Sequence, residues 1–226
     1  MVFEFFRGGA DNQLEEIEGQ IIQMLLDCRH TFDLAINALI GGTEPSTVGK
    51  RISKVDIGVN RAERAVRKEL VVHTSVRGAQ ADLPLVLSFM SIVKDAERVG
   101  DYAKNIWDLA DAGIDLSSAD DLKHLTKVRD QTSEFIGESA RIFRERDTAA
   151  AHDMIQLLDK VLDEYDAGIR TQLESTDPAR DAVARALLFR YLKRISAHLI
   201  NVLTSLVMPV HRLDFYDEKK ADRVTD

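Results

Sequence analysis

Apolar residues recur at steps of three and four along almost the whole chain, and this spacing most constrains the fold. Within residues 12–40, one stripe consists of Leu14, Ile17, Ile21, Leu25, Cys28, Phe32, Ala35 and Leu39. Such steps place side chains on one face of a helix, whereas a half-buried strand would alternate. Only 4 Pro and 12 Gly among 226 residues leave few places for chain reversal. The sequence therefore predicts an all-α protein of long helices with short links.

Residues typical of helix ends divide the chain into six helices. Gly41 and Gly42 end the first helix, and Pro209 stops the sixth. Ser118 followed by Asp121 resembles a capping box that opens the fourth. The predicted helices cover about 12–40, 46–73, 82–112, 118–146, 147–174 and 177–208.

The second half of the chain repeats the first. Polar residues on the second helix recur 103 residues later on the fifth, and those on the third recur 96 residues later on the sixth. The matched positions are Asp56 with Asp159, Asn60 with Asp163, Glu63 with Asp166, Glu97 with Lys193, and Asp101 with Ala197. The unequal offsets predict a shorter link between helices five and six. We expect two repeated three-helix bundles, 12–113 and 118–209, with a mobile tail at 210–226.

Composition and charge exclude several classes of protein. The net charge of −8 and a pI near 5.3 argue against nucleic-acid binding. The single cysteine, Cys28, cannot form an internal disulfide or a thiolate zinc cage, and we expect it in the core. No apolar run is long enough to span a bilayer, and the first residues lack the features of a secretory signal. We expect a cytoplasmic protein with at most peripheral membrane association.

Acidic residues at helical spacing form the candidate binding site. Glu97 and Asp101 lie four residues apart, so both carboxylates project from one face of the third helix and repel each other. On the second helix, Asp56, Asn60 and Glu63 border the apolar stripe. Two such edges side by side would supply hard oxygen ligands for magnesium, calcium, manganese or iron. Gly100, inside the third helix, indicates a close neighbour at this point.

Two stretches of the sequence carry a family resemblance. DAERVGDYAKNI, residues 95–106, resembles the ERIGDxAxNI signature of the PhoU family of phosphate uptake regulators. VDIGVNRAERAVR, residues 55–67, is similar to the family's D-x-x-x-N-x-x-E segment. The resemblance spans roughly residues 12–208 and includes the duplicated six-helix layout.

This resemblance implies a dimeric helical regulator that binds metal and acts by protein contact, without being an enzyme. Its metal ligands would be Glu97 and Asp101, with Asp56, Asn60 and Glu63 on the facing helix. The metal would be iron, zinc, magnesium or manganese. The implied partners are a phosphate ABC transporter and a sensor histidine kinase, whose phosphate-starvation signalling the protein would restrain; another kind of phosphate transporter is an alternative.

The second half departs from the family pattern. Lys193 and Ala197 stand where the family usually has acids, so we expect metal in the first half only. Lys193 is predicted to act as a built-in cation facing the acids of the fifth helix.

Two other classes of function use the same acidic residues. One is a metal-dependent hydrolase or metal-storage protein, which the sequence disfavours because no general base, nucleophile or histidine shell accompanies the acids. The other is a structural adaptor whose acidic faces dock a basic partner surface.

Overall fold

The structure, a computed structural model, is an arrangement of six long helices. It describes residues 12–77, 82–213, 215–218, 220 and 223, and within these ranges there is no strand. The helices are α1 (Asn12–Ile40), α2 (Pro45–Arg77), α3 (Leu83–Asp111), α4 (Leu122–Glu145), α5 (Thr148–Glu174) and α6 (Ala179–Val207). The predicted all-α fold is confirmed. The N-terminal residues 1–11, which include the stretch tested for a secretory signal, lie outside the described residues.

The helix ends follow the sequence at most positions but not at the predicted capping box. Asp147 caps α5, since its carboxylate accepts a hydrogen bond from the Ala150 amide at 3.0 Å. The capping box at Ser118 and Asp121 is wrong: α4 begins only at Leu122, and the Asp121 side chain does not cap it. The Asp121 carboxylate instead accepts two hydrogen bonds from Arg185 on α6, at 3.0 and 3.2 Å. A charged partner has taken the oxygen that a cap would use.

The two repeats share one hydrophobic core. Each of α1, α2 and α3 packs on the other two, and α5 packs closely on α6. The halves meet where α3 lies against α6 and α1 against α4, so that α2 and α5 are on the outside. All six helices contribute buried apolar side chains to a single cluster. This arrangement leaves one flank of α2 and one flank of α5 free to present polar residues.

The repeat offset is 103 residues from α2 to α5 but 96 from α3 to α6, and this difference arises mainly because α5 is shorter than α2. We expected a shorter link between α5 and α6, but that link, 175–178, is only one residue shorter than the link at 78–82. Instead, α2 continues 21 residues beyond Asp56 whereas α5 continues 15 beyond Asp159. The total difference of seven residues is about two helical turns. The acidic row of α5 is therefore directed towards α6 in the same way as the row of α2 is directed towards α3.

The segment after α6 contacts the second half where it is described. Short 3₁₀ turns occur at Val210–Arg212 and Phe215–Asp217, and Lys220 and Arg223 reach the side chains of α5. The mobility of the whole tail stays a prediction. Among the described helices, none combines the length and the apolar character required to cross a membrane.

Candidate metal centre

The acidic edges of α2 and α3 lie next to each other, and α1 closes the space behind them. Glu97 is only 6% exposed, and Asp101 follows it one turn along α3. Gly100, between them, allows the approach of α1: a Cβ at this position would lie 3.0 Å from Cys28 Sγ. The close neighbour predicted for Gly100 is therefore Cys28, which is fully buried in the core as expected.

Asp56, Glu97 and Asp101 form one group of interacting carboxylates. Burial raises the pKa of Asp101 above its usual 3.8, and the charges of Glu97 and Asp56 raise it further. Burial is also the main cause that raises the pKa of Asp56, with Glu97 and Asp108 adding to it and Lys104 opposing it. Partial burial of like charges without full neutralisation is the environment that a cation would relieve.

Basic residues of α3 meet part of this negative charge. Lys94 Nζ lies 2.7 Å from Glu97 Oε2. Arg98 lies 3.6 Å from Asp101 and 3.9 Å from Glu97, so it pairs with neighbouring acids. These cations are about half or one-third exposed and come from the same helix, so solvent weakens their effect on the carboxylates.

Asn60 and Glu63 make their contacts along α2. The Asn60 side-chain amide donates to the Asp56 carbonyl at 3.0 Å, and Glu63 pairs with Arg67 at 3.2 Å. Glu63 is buried and Asn60 half-buried, so both border the core as the sequence indicated. The residues have the oxygen donors that a hard cation prefers. Among the described residues, however, no group of three or more His, Cys, Asp or Glu converges in an arrangement ready to hold a metal.

The equivalent row in the second half is neutralised by side chains from outside α5. Lys193 on α6 lies 2.6 Å from Asp166, while Lys220 lies 2.6 Å from Asp163 and 3.2 Å from Asp159. Arg223 adds a second contact to Asp159, at 3.1 Å. Every acid of this row therefore has a basic partner within the chain.

A buried polar cluster between the two halves was missed by the sequence reasoning. Asp95 on α3 contacts His198 Nδ1 at 2.8 Å and accepts a hydrogen bond from the Asn201 amide at 3.1 Å, both on α6. The other ring nitrogen of His198 lies 3.1 Å from Arg194, and Tyr102 stacks on the ring. Both nitrogens of His198 are thus engaged at the seam between α3 and α6. Asp95 lies inside the stretch that resembles the family signature, two residues before Glu97. Residues two apart lie on different faces of a helix, so the spacing alone does not connect Asp95 with the acidic edge.

Fold and site together describe an all-α protein of six long helices, with an acidic edge that is complete only on α2 and α3. Residues 21–110 match the family model described as the PhoU domain. This part of the chain is therefore similar to the PhoU family, which confirms the resemblance seen in the sequence.

Relatives and solved structures extend the likeness to most of the chain. A PhoU homolog of Synechocystis, described as a phosphate-specific transport system accessory protein, is 22% identical over 200 residues, covering 87% of this chain and 88% of the relative. The homolog of the same description from Pseudomonas aeruginosa is 25% identical over 212 residues, covering 89% and 85%.

Two crystal structures share the fold. PhoU from Pseudomonas aeruginosa superposes with a TM-score of 0.76 at 23% identity, covering 89% of this chain and 98% of that one. The phosphate transport system regulatory protein PhoU from Streptococcus pneumoniae gives 0.74 at 18% identity, covering 96% and 99%.

Proposed function

We propose that the chain is an accessory regulator of a phosphate transport system, that it binds a metal ion at the acidic edge of α2 and α3, and that it is not an enzyme. The observation that carries the metal site is the group formed by Asp56, Glu97 and Asp101 in the PhoU domain, where burial and mutual repulsion raise the pKa of two carboxyls. The accessory role is supported by the likeness to PhoU homologs over 87% and 89% of the chain.

The metal would be held by Glu97 and Asp101 from α3 and by Asp56 from α2, with Asn60 and Glu63 as further oxygen donors on α2. A bound cation would supply positive charge that Lys94 and Arg98 provide only in part. Oxygen donors favour magnesium, manganese or iron, and zinc accepts carboxylates as well. In the second half, Lys193, Lys220 and Arg223 already neutralise the acids, which supports a single site in the first half.

Elemental analysis of purified protein tests the metal site. We expect Glu97→Ala/Asp101→Ala to lose nearly all specifically bound divalent or trivalent metal. The matched control is Asp130→Ala/Glu134→Ala, which removes an acidic pair of the same spacing from the exposed face of α4. Equal metal content in the wild type and the Glu97/Asp101 variant would contradict the assignment.

Regulation of phosphate transport is tested in cells that lack the gene. We expect higher phosphate uptake and stronger starvation signalling in phosphate-rich medium than in the wild type, and restoration by the intact gene. The Asp130/Glu134 variant should restore both, whereas the Glu97/Asp101 variant should not. Unchanged uptake and signalling in the deletion would contradict the regulatory role. A phosphate ABC transporter and a sensor histidine kinase, or a different phosphate transporter, are the proposed partners, and the proposed location is the cytoplasm.

A homodimer is proposed for the assembly. Exposed apolar side chains occur near the second link of each half: Val71, Val72, Leu83 and Leu87 near the α2–α3 link, and Leu173 and Val183 near the α5–α6 link. Apolar surface of this kind favours subunit contact. Light scattering at micromolar concentration should give a mass near twice 25.4 kDa. A monomer at all concentrations would contradict the proposal.

A metal-dependent hydrolase is the second candidate. It requires turnover of generic phosphoesters that depends on added metal and disappears in Glu97→Ala. Absence of turnover with metal bound supports the regulator instead.

A further inference from the structure

The outer face of α2 carries a groove that the acidic site does not use. The groove has a volume of about 770 Å³, and all its lining residues except Trp107 of α3 lie on α2 between positions 46 and 61. They follow one another at alternating steps of three and one, so they occupy one face of the helix for about 22 Å. The groove is therefore long and continuous, and it belongs to a helix on the outside of the fold.

The cations of this groove have no partner among the described residues. Lys50, Lys54 and Arg61 line it, are exposed, and make no ion pair or hydrogen bond with any residue that the structure describes. On the neighbouring α3, by contrast, Lys94 and Lys104 both pair with acids. The positive charge continues along the exposed side of α2 with Arg51, Arg64 and Lys68, which have no described ion pair either. A protein of net charge −8 thus presents a strip of uncompensated positive charge here.

The floor of the groove is rigid and apolar. Trp107 donates from Nε1 to the Pro45 carbonyl at 3.1 Å, and its ring lies so close to Gly49 that a Cβ there would come within 2.6 Å of Cζ2. Ile57 exposes 46% of its surface beside it. At Gly58, a Cβ would meet no atom within 4 Å, so no internal contact requires a glycine in the middle of this helix. The missing side chain leaves room for the backbone of another molecule.

Charge, length and shape point to one kind of occupant. Lys50 and Arg61 are separated by about 17 Å along the helix, which exceeds the reach of a single small anion. A flat anionic membrane would favour protruding apolar side chains, whereas Trp107 here forms a recessed floor. We propose that the groove along residues 46–61 docks an acidic helical segment of a partner protein, with its carboxylates facing Lys50, Lys54 and Arg61. This proposal rests neither on the metal site nor on the role in phosphate transport.

Trp107 provides the signal for the test because it is the only tryptophan in the chain. The probe is a tryptophan-free helical peptide of about 16 residues, with glutamates spaced to face the three cations. We expect it to change the fluorescence of Trp107 in the full-length protein, with an affinity that falls as sodium chloride rises. The same peptide with glutamine in place of glutamate should bind about tenfold more weakly or not at all.

A matched pair of variants separates docking in the groove from general attraction to positive charge. Lys50→Glu/Lys54→Glu/Arg61→Glu should weaken peptide binding by about tenfold or more. Lys123→Glu/Lys127→Glu/Arg190→Glu reverses three exposed charges on α4 and α6 and should leave binding nearly unchanged. Thermal unfolding of both variants checks that the fold is retained.

Three results would overturn the proposal. One is the absence of binding by the glutamate peptide, and another is an equal loss of binding in the two triple variants. The third is binding of vesicles of phosphatidylcholine with phosphatidylglycerol in the absence of peptide binding, which would assign the groove to a membrane surface.

Discussion

Lys193 on α6 places its ammonium nitrogen 2.6 Å from the carboxylate of Asp166 on α5. At the equivalent positions of the first half are two acids, Glu97 and Glu63. The predicted placement of Lys193 against the acids of α5 is therefore confirmed. Where the first half has two acids, the second half has an oppositely charged pair that joins two helices without an external cation.

Removal of Lys193 should weaken the second half. The pair is about one-quarter to one-third exposed, so we expect Lys193→Ala to lower the free energy of unfolding by about 0.5–1 kcal/mol at low salt. The deficit should shrink as salt rises, because screening weakens the lost attraction. Urea unfolding at two salt concentrations measures both effects. Lys123→Ala, an exposed lysine without a described ion pair, is the control, and equal losses in the two variants would contradict the prediction.

Restoring acids in the second half should create a metal site there only after the other cations are removed. Lys193→Glu/Ala197→Asp recovers the acidic spacing of α3, but Lys220 and Arg223 would still neutralise Asp159 and Asp163. We therefore expect strong manganese binding by calorimetry only when Lys220→Ala and Arg223→Ala are added. The quadruple variant should also unfold at a higher temperature with manganese than without it. If the fourfold change binds no metal, α5 and α6 do not form a counterpart of the acidic edge.

The fold could be predicted well because the apolar periodicity and the helix-ending residues act within single helices. The apolar stripes, Gly41 and Pro209 each act through their own helix, and the observed ends fall within a few residues of the predicted ones. The prediction failed at Ser118 and Asp121, where a side chain from α6 competes for the capping oxygen. The spacing of residues within a helix carries no information about such a distant partner.

Contacts between helices account for what the sequence left out of the candidate site. Lys193 was found because the repeat aligns it with Glu97. Asp95 and His198 were not paired, since they are 103 residues apart and belong to different repeats. Lys220 and Arg223 follow the last helix in a stretch without helical periodicity, so only the structure reveals that they meet the acids of α5.

Asp101→Asn should stabilise the metal-free protein at neutral pH and abolish its response to metal. Burial and the charge of Glu97 raise the pKa of Asp101, so the folded state holds this proton to a higher pH than the unfolded state does. The wild type therefore loses stability as pH rises from the ordinary value of 3.8 through the raised pKa. We expect the variant to be more stable by about 0.5 kcal/mol at pH 7, with the difference vanishing as the pH falls towards 4.

Urea unfolding with a chelator, and then with manganese, measures the two effects. Manganese should stabilise the wild type and leave Asp101→Asn unchanged. Asp130→Asn, on the exposed face of α4, is the control and should respond to manganese like the wild type. A chelator-treated Asp101→Asn protein that is less stable than the wild type at pH 7 would show that Asp101 is not under electrostatic strain.

Gly100→Ala should destabilise the protein through contact with Cys28. The new Cβ would lie 3.0 Å from Cys28 Sγ, which is fully buried and donates a hydrogen bond to the Ala96 carbonyl at 3.4 Å. Overpacking of this kind costs about 1–3 kcal/mol, of which the higher helix propensity of alanine returns about 1 kcal/mol. Gly58→Ala, with no atom within 4 Å of its Cβ, should gain that propensity without the clash and therefore stabilise the protein.

In a Cys28→Ala background the sulfur is absent, so Gly100→Ala should become neutral or stabilising. Urea unfolding of the wild type, the two single variants and the double variant measures this difference. If Gly100→Ala lowers the free energy of unfolding equally in both backgrounds, Cys28 is not the residue that excludes a side chain at position 100.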